Sequence, residues 1–447
     1  MLATVVGWSQ ALVLRLLADL AVCESGTAWD AASDDPVLAA AFLTSFWAAL
    51  QPSLGAFVLA SAVHVANSLR VMPEGLDNNG TYLLLIMVNV LHSSLWALVT
   101  GHEGGALLDE GAGRAITLAL YFFAAFAKLN TGFFVTRCSA STVGTVALLK
   151  LFPDKIWPSP SPMSAMLPRI FVLLKAAVFL TEWAVPLLLL TQSRYALLLA
   201  LAMHHAMGVA GFWVFSVVMQ ATVCLLFAPA ASAALLARVA AHPLWNVTLA
   251  GTVLFLLAAH NNPRLHLPAA LARAVKPLRL RATLLPGESG CYLQAVWAVW
   301  SSLLLFACVV VPLEPELDLT LLPESGVGWA TLAIAIALGC SPYLGGRTHA
   351  SWTMYSNLRL EGSVSNHFFC GPRMQVFGCL RETCTVLDST DPSIRNFCMG
   401  IDAAAAAGPR LAALLNTCDV EPLVWWNSHG CYGSFLCSST VYTLHDS

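Results

Sequence analysis

The chain has 447 residues, of which 58% are hydrophobic and only 11% are charged, and its formal net charge is −3. A soluble domain carries roughly 25% charged residues and needs them to remain in water. The composition therefore excludes an ordinary soluble protein, and the small net charge argues against a nucleic-acid partner. The partner it predicts is a lipid bilayer, so we expect an integral, multi-pass membrane protein.

Two stretches without acidic or basic residues are too long for one membrane crossing, which needs ~20 residues. Residues 36–69 contain Pro52 near their middle, and residues 195–229 contain Gly208 and Gly211. Because proline and glycine bend or break helices, we expect each stretch to form two helices. Further apolar stretches bring the prediction to about eight to ten spans. In chain order these further stretches are 78–101, 115–135, 170–190, 239–263, 289–313 and 325–346.

From Arg347 onward the composition changes to that of a soluble tail. Short β-like runs alternate with turns, and residues 392–417 are rich in Ala and Leu, which predicts a small α+β unit. The predicted fold class is therefore an all-α polytopic membrane bundle with a small α+β C-terminal tail. The predicted strands of the tail are 374–377, 385–387, 423–426 and 440–444.

Cysteines are concentrated in this tail. Their spacings are wide and lack a C-x₂-C pair, so a zinc site is disfavoured and no metal site is predicted. They fit either disulfides in an oxidising lumen or free thiols. The cysteines of the tail are Cys370, Cys379, Cys384, Cys398, Cys418, Cys431 and Cys437.

Lys128 is the candidate catalytic residue. It follows an uncharged run from Ala115 to Ala127 inside a predicted span. An ionisable group at mid-helix costs ~2.5–3.5 kcal/mol on insertion scales, so it usually has a purpose. Burial disfavours an ammonium, and a neutral amine is a general base. The alternative is that the side chain extends to the membrane interface, because Val135 is close.

Lys175 and Glu182 are candidate binding residues on one predicted helix. Their spacing places them on one face but ~10 Å apart along the axis, too far for a direct pair. We expect each to find a partner on another helix, as a structural ion pair or as part of a site.

Histidines within apolar runs form a second set of candidate binding residues. His204 and His205 are adjacent and point ~100° apart on a helix, so they cannot readily bind one metal ion together. An imidazole in an apolar environment can be a base, a ligand or a hydrogen-bonded tie between helices. His92, in the preceding part of the chain, has the same three interpretations.

The segment over residues 124–130, which ends in Lys128-Leu-Asn130, resembles the stretch that carries the catalytic-base lysine of the vitamin K-dependent γ-carboxylases. The resemblance extends over roughly residues 10–230, which look like the horizontally transferred transmembrane (HTTM) domain of that family. The other matching features are Arg15, Glu182 with Pro186, His204-His205 and residues 215–219, followed after the last span by residues 348–359 and Asn366-His367. The domains that this implies are an HTTM-like domain over 1–230, additional spans over 231–346 and the tail over 347–447.

One position departs from the family. Around residues 77–82 the sequence is similar to the carboxylase segment that supplies an active-site histidine, but the matching position is Gly80. The tail is also much shorter than the lumenal domain of the carboxylases. Both departures argue against carboxylation of glutamate in proteins.

Three functions follow from the resemblance and the residues. The first is an enzyme that acts on a lipidic or isoprenoid substrate inside the bilayer, with Lys128 as base or electrostatic element and with Asn130, Lys175, Glu182 and the histidines binding the substrate. The resemblance implies a reduced quinone as the cofactor of such an enzyme. The second is a lipid- or small-molecule-binding protein or transporter without catalysis. The third is a structural membrane subunit whose tail Asn366–Ser447 docks a partner.

Overall fold

A computed structural model gives the fold. It describes residues 8–9, 11–16, 35–75, 78–101, 108–134, 166–191, 194–209, 213–227, 251, 297–306, 320–346, 351–353, 356, 358, 360 and 365–377. Within these ranges the regular structure is helical, as predicted, and β-pairing is limited to a single antiparallel bridge between Asn130 and His367.

Ten of the helices are numbered in chain order. Their lengths range from 4 residues in α5 to 24 residues in α6, and a 3₁₀ turn, Pro372–Met374, lies near the end of the described part of the chain. The helices are α1 Pro36–Leu50, α2 Leu54–Gly75, α3 Asn78–Thr100, α4 Glu110–Ala127, α5 Thr131–Phe134, α6 Leu167–Leu190, α7 Arg194–Met207, α8 Trp213–Phe227, α9 Trp297–Phe306 and α10 Gly326–Cys340.

Three of the described helices are long and apolar enough to cross a membrane. Their spanning parts are Leu54–Met72 in α2, Asn78–Thr100 in α3 and Arg169–Leu190 in α6. Other apolar helices, among them α1 and α10, are shorter. The structure thus confirms helices with the length and composition that a membrane span needs. The polytopic bundle and its count of about eight to ten spans stay predictions. Of residues 239–263, the structure describes only Gly251.

The described residues fall into two compact units. The first comprises those within residues 1–120, 184–268 and 287–336, and the second those within 121–183, 269–286 and 337–447. The predicted domain boundaries at 230 and 346 stay predictions.

In the first unit, the predicted break near Pro52 separates α1 from α2. Asp35 caps the start of α1, because its Oδ1 accepts a hydrogen bond of 2.9 Å from the Leu38 amide. Its Oδ2 lies 2.5 Å from the Arg70 guanidinium near the end of α2. The two helices pack against each other, and this ion pair shows that they run antiparallel.

The predicted break near Gly208 separates α7 from α8 in the same unit. A π-helical turn follows Met207 at residues 208–209. A Cβ atom on Gly208 would lie 2.2 Å from Cη2 of Trp297, so the absence of a side chain lets the indole approach the backbone. Gly211, the other predicted break point, lies outside the described residues.

In the second unit, one predicted strand of the tail is wrong. Residues 374–377 do not form a strand, because Pro372 starts the 3₁₀ turn Pro372–Met374, and the Phe377 amide then donates to the carbonyl of Leu344 over 2.8 Å. Proline has a fixed φ that suits the first position of such a turn. The other predicted strands and the helix over 392–417 lie outside the described residues, as do the cysteines from Cys379 onward.

Candidate functional site

Lys128 does not lie within a continuous span. The helix predicted over 115–135 ends at Ala127, Lys128 forms the turn that follows, and a short second helix starts at Thr131. Asn130 explains the break, because its Oδ1 accepts a 2.8 Å hydrogen bond from the Phe133 amide and so caps α5. Asparagine side chains compete with the helical backbone in this way. The prediction of one uninterrupted helix here is wrong.

Lys128 forms a buried ion pair with Glu182. Its Nζ lies 2.6 Å from Oε2 of Glu182, and the two side chains are only 3% and 12% exposed. The same Nζ donates a 3.2 Å hydrogen bond to the carbonyl of Ala124, one turn earlier in α4. It also lies 6.0 Å from the centroid of the Phe133 ring. The ammonium is thus held by a carboxylate, a carbonyl and an aromatic face.

Aromatic rings form a wall beside this pair. Phe122 of α4 makes an edge contact with Trp183 of α6 at a centroid distance of 6.0 Å. Trp183 contacts Phe179 at 6.5 Å, and Phe179 contacts Phe133 at 6.4 Å. The Nε1 donor of Trp183 is buried and has no hydrogen-bond partner among the described residues. The pair therefore lies beside a wall of aromatic rings that includes one buried indole N–H.

Every carbonyl of the last turn of α4 has a hydrogen-bond donor. Helix ends leave four such acceptors without partners inside the helix. Here the donors are Lys128 Nζ for Ala124, Lys128 N for Ala125, Leu129 N for Phe126 and Asn130 Nδ2 for Ala127. The turn that carries Lys128 is thus fixed without water.

Asn130 is the centre of this turn. Its Nδ2 donates to the carbonyls of Ala127 and Ser356, both over 2.6 Å. Its Oδ1 accepts from the Phe133 amide and, over 3.3 Å, from Nδ2 of Asn366. Asn130 is fully buried, and its amide group is used up by the protein. Asn130 thus has a structural role next to Lys128, and its predicted part in ligand binding stays a prediction.

Lys175 and Glu182 each have a partner on another segment. Glu182 pairs with Lys128, and the Nζ of Lys175 donates to the carbonyl of Phe134 at the end of α5 over 2.7 Å. The second unit thus brings Lys128, Asn130 and Glu182 together. Lys175 lies further along, against the end of α5.

The histidine candidates belong to the first unit. His205 makes a tie between helices, with its Nδ1 2.8 Å from the hydroxyl of Ser301 and its ring stacked on Trp297. His204 is buried, and its ring contacts that of Phe215 at 5.4 Å. His92 is exposed on α3.

Sequence reasoning missed Ser301 and the residue next to it in this network, Gln220. The Nε2 of Gln220 donates to the Ser301 hydroxyl over 2.6 Å, and its Oε1 accepts from the indole N–H of Trp297 over 3.2 Å. Trp297 and Ser301 are four residues apart on α9, which places them on one helical face. The spacing of Trp297 and Ser301 could have indicated that both contact the same neighbours. It could not identify Gln220 and His205 as those neighbours.

Among the described residues, no group of three or more His, Cys, Asp and Glu side chains is arranged to hold a metal ion. Comparison with protein-family models, with curated proteins and with solved structures finds no match.

Proposed function

We propose that the chain is a multi-pass membrane protein that acts as an enzyme on a lipidic or isoprenoid molecule at the Lys128–Glu182 pair. The observation that carries the proposal is the position of the pair, with both charges buried beside an aromatic wall. A buried ion pair is costly to form and is weak evidence for stability alone, so its presence in apolar surroundings supports a functional use.

The membrane location is supported by the outer surface of α6. Large apolar side chains on this helix are exposed, including Leu173 at 68%, Leu180 at 64% and Leu187 at 58%. Exposed apolar surface of this extent on a long helix fits contact with lipid. A polytopic bundle with about eight to ten spans is part of the proposal.

The chemistry that the pair can perform is proton transfer. A proton that moves from the Lys128 ammonium to the Glu182 carboxylate leaves a neutral amine and a neutral acid, and the two groups are close enough for this transfer. The amine can then accept a proton from a substrate, and the unpaired indole N–H of Trp183 is a donor for a substrate oxygen. The substrate class is therefore an apolar molecule with an acidic hydroxyl group.

The resemblance to the HTTM domain and the vitamin K-dependent γ-carboxylases points in the same direction. We propose that the chain is a member of that group. The proposal is based on residues 124–130, on Glu182 with Pro186 and on His204-His205. A reduced quinone is one member of the substrate class, on the resemblance alone. Because the position that matches the family's histidine is Gly80, we do not propose carboxylation of glutamate.

The test is lipid and metabolite analysis of membranes that contain wild-type protein, Lys128→Ala or Lys128→Arg. A base must lose its proton, so an enzyme requires both variants to abolish turnover while folded protein remains. An unchanged lipid profile in cells that carry only Lys128→Ala would contradict the proposal.

A second candidate is a non-catalytic binding protein or transporter. The observation that favours it is that the Lys128 ammonium already has a carboxylate, a carbonyl and an aromatic ring as neighbours. In that case only the positive charge matters, and Lys128→Arg keeps binding of the lipidic molecule while Lys128→Ala loses it. The arginine variant therefore separates the two candidates.

A further inference from the structure

The chain segment after α10 returns to the turn that carries Lys128. The Thr131 amide donates to the carbonyl of Asn366 over 3.0 Å, and the Phe368 amide donates to the carbonyl of Leu129 over 2.9 Å. These two bonds place His367 opposite Asn130 in an antiparallel bridge. A residue distant in the sequence thus lies directly beside the candidate site.

The ring of His367 is fixed by three hydrogen bonds. Its Nδ1 accepts from the amides of Phe369 and Cys370, both over 3.1 Å. Since Nδ1 is occupied as an acceptor, the ring proton lies on Nε2. That atom is 3.0 Å from the carbonyl of Phe126, to which it donates. The neutral ring therefore has one defined tautomer.

The acceptor of this bond belongs to the last turn of α4. The carbonyl of Phe126 accepts from the Leu129 amide and from His367 together. His367 is 7% exposed, and its ring contacts those of Phe126 and Tyr343 at centroid distances of 4.7 Å and 5.4 Å. The contact with His367 thus stabilises the end of α4 through a donor that lies outside the helix.

We propose that His367 is a positioning residue for Lys128, which acts through the bond from its Nε2 to the carbonyl of Phe126. The bond fixes the end of α4, and with it the direction in which the Lys128 side chain leaves the helix toward Glu182. The role assigned to Lys128 rests on the proposed function, whereas the positioning itself is a property of the fold.

Two matched substitutions separate the two sides of the ring. The amide nitrogen of glutamine lies near the position of the histidine Nε2, so His367→Gln keeps the donor to Phe126 and loses the acceptor for Phe369 and Cys370. The amide oxygen of asparagine lies near Nδ1, so His367→Asn keeps the acceptor and loses the donor. The proposal requires that His367→Gln leaves the position and reactivity of Lys128 as in wild type, and that His367→Asn changes them.

The measurement is the rate at which acetic anhydride acetylates Lys128 in purified, detergent-solubilised full-length protein, followed by peptide mass spectrometry. Lys175 serves as the internal reference, and Glu182→Gln, which removes the carboxylate beside Lys128, serves as the positive control. We expect His367→Asn to raise the Lys128 rate about fivefold, which corresponds to the loss of one ordinary hydrogen bond. His367→Gln and the Lys175 rate should stay at the wild-type level.

Equal rates in the Asn and Gln variants, whether both raised or both unchanged, would overturn the proposal. So would a parallel rise at Lys175, because that indicates general loosening of the fold. The labelling uses no substrate. An unchanged lipid profile in Lys128→Ala would therefore refute the proposed function and leave the positioning result intact. Equal Lys128 rates in the two His367 variants would refute the positioning and leave the proposed function intact.

Discussion

The Nζ of Lys128 lies 2.6 Å from Oε2 of Glu182, which ties the turn after α4 to the middle of α6. Both side chains are almost fully enclosed by protein, so neither charge can regain water when the other is removed. The pair is the feature on which both the proposed chemistry and the local stability depend.

Removing one member of this pair should destabilise the protein more than removing both. Lys128→Met or Glu182→Gln leaves one buried charge without its partner, which costs about 3–5 kcal/mol. The double variant leaves no charge and should unfold close to wild type. Thermal unfolding in detergent, followed by circular dichroism, measures the three variants. Lys175→Met is the control, because it removes a buried lysine that donates to the Phe134 carbonyl and leaves the Lys128–Glu182 pair in place. Additive losses in the double variant would contradict the pairing.

Asn130→Ala should destabilise the end of α4 and the start of α5 together. The substitution removes a helix cap and leaves the buried carbonyls of Ala127 and Ser356 without their donor, at a cost of about 2–4 kcal/mol. Hydrogen exchange at the Phe133 amide should rise in the same variant. Thr191→Ala, which removes an exposed bond to the Leu188 carbonyl, is the control, and we expect a change within about 0.5 kcal/mol. Equal losses of stability in Asn130→Ala and Thr191→Ala would contradict the role of Asn130 in stabilising the turn.

Stability should fall as the pH is lowered, in part through His367. Burial, the larger influence, lowers the pKa of His367 in the folded protein below its ordinary value of about 6.5, and the hydrogen bond to Phe126 partly opposes this. Below about pH 6.5 the unfolded chain therefore binds a proton that the folded protein does not, and stability decreases until the folded pKa is passed.

The measurement is the melting temperature of wild type and His367→Gln between pH 8 and pH 4. The difference between the two should shrink as the pH falls through this window. The titratable groups around the ring, Tyr343 and Cys370, are neutral at acidic pH and do not contribute. Parallel pH profiles for the two proteins would exclude His367 as a source of the dependence.

Asp109 should contribute more to stability than a typical helix cap. Its Oδ1 accepts from the Ala112 amide over 2.9 Å, and its Oδ2 accepts from the amide and hydroxyl of Ser325 over 3.0 Å and 2.8 Å. One carboxylate thus serves the starts of α4 and α10 at once, within the first unit. Asp109→Ala should cost about 2–4 kcal/mol, because one buried donor and several partly buried ones lose their acceptor.

Asp35→Ala is the matched control, since Asp35 caps only α1 and its pair with Arg70 is partly exposed. A single cap is worth about 1 kcal/mol. Thermal unfolding of the two variants should rank Asp109→Ala well below Asp35→Ala. The opposite ranking would contradict the double capping.

Gly208→Ala should destabilise the protein, whereas Gly55→Ala should not. An added Cβ at Gly208 would lie 2.2 Å from Cη2 of Trp297, and it would displace an indole that also holds Gln220 and His205. Overpacking of this kind costs about 1–3 kcal/mol. An added Cβ at Gly55 would meet no described atom within 4 Å beyond its own helix, and alanine favours helix by up to about 1 kcal/mol. Melting temperatures of the two variants test the contrast.

Helix positions and breaks were predictable, because they depend on local composition. Pro52 and Gly208 separated the helices of two long apolar stretches, as the sequence indicated. The exception was α4, where the uncharged run before Lys128 suggested an uninterrupted helix. Asn130 ends that run by hydrogen bonding to backbone groups on both sides, a local signal that hydropathy does not register.

Partners across the fold were not predictable. The spacing of Lys175 and Glu182 excluded a direct pair, but it could not reveal that Glu182 meets Lys128. The contact of His367 with the end of α4 also joins segments far apart in the sequence. Such contacts depend on tertiary packing, and periodicity describes only which face of one helix a residue occupies.

The length of α1 has a consequence for the lipid around it. Its 15 residues extend only about 22 Å, while a bilayer core is about 30 Å thick. In the proposed membrane location, the Asp35–Arg70 pair at its start would therefore lie inside the hydrocarbon unless the bilayer thins at that point. Thinning costs fractions of a kcal/mol per Å. The protein should accordingly prefer membranes with short acyl chains, and its melting temperature should decrease as chain length increases.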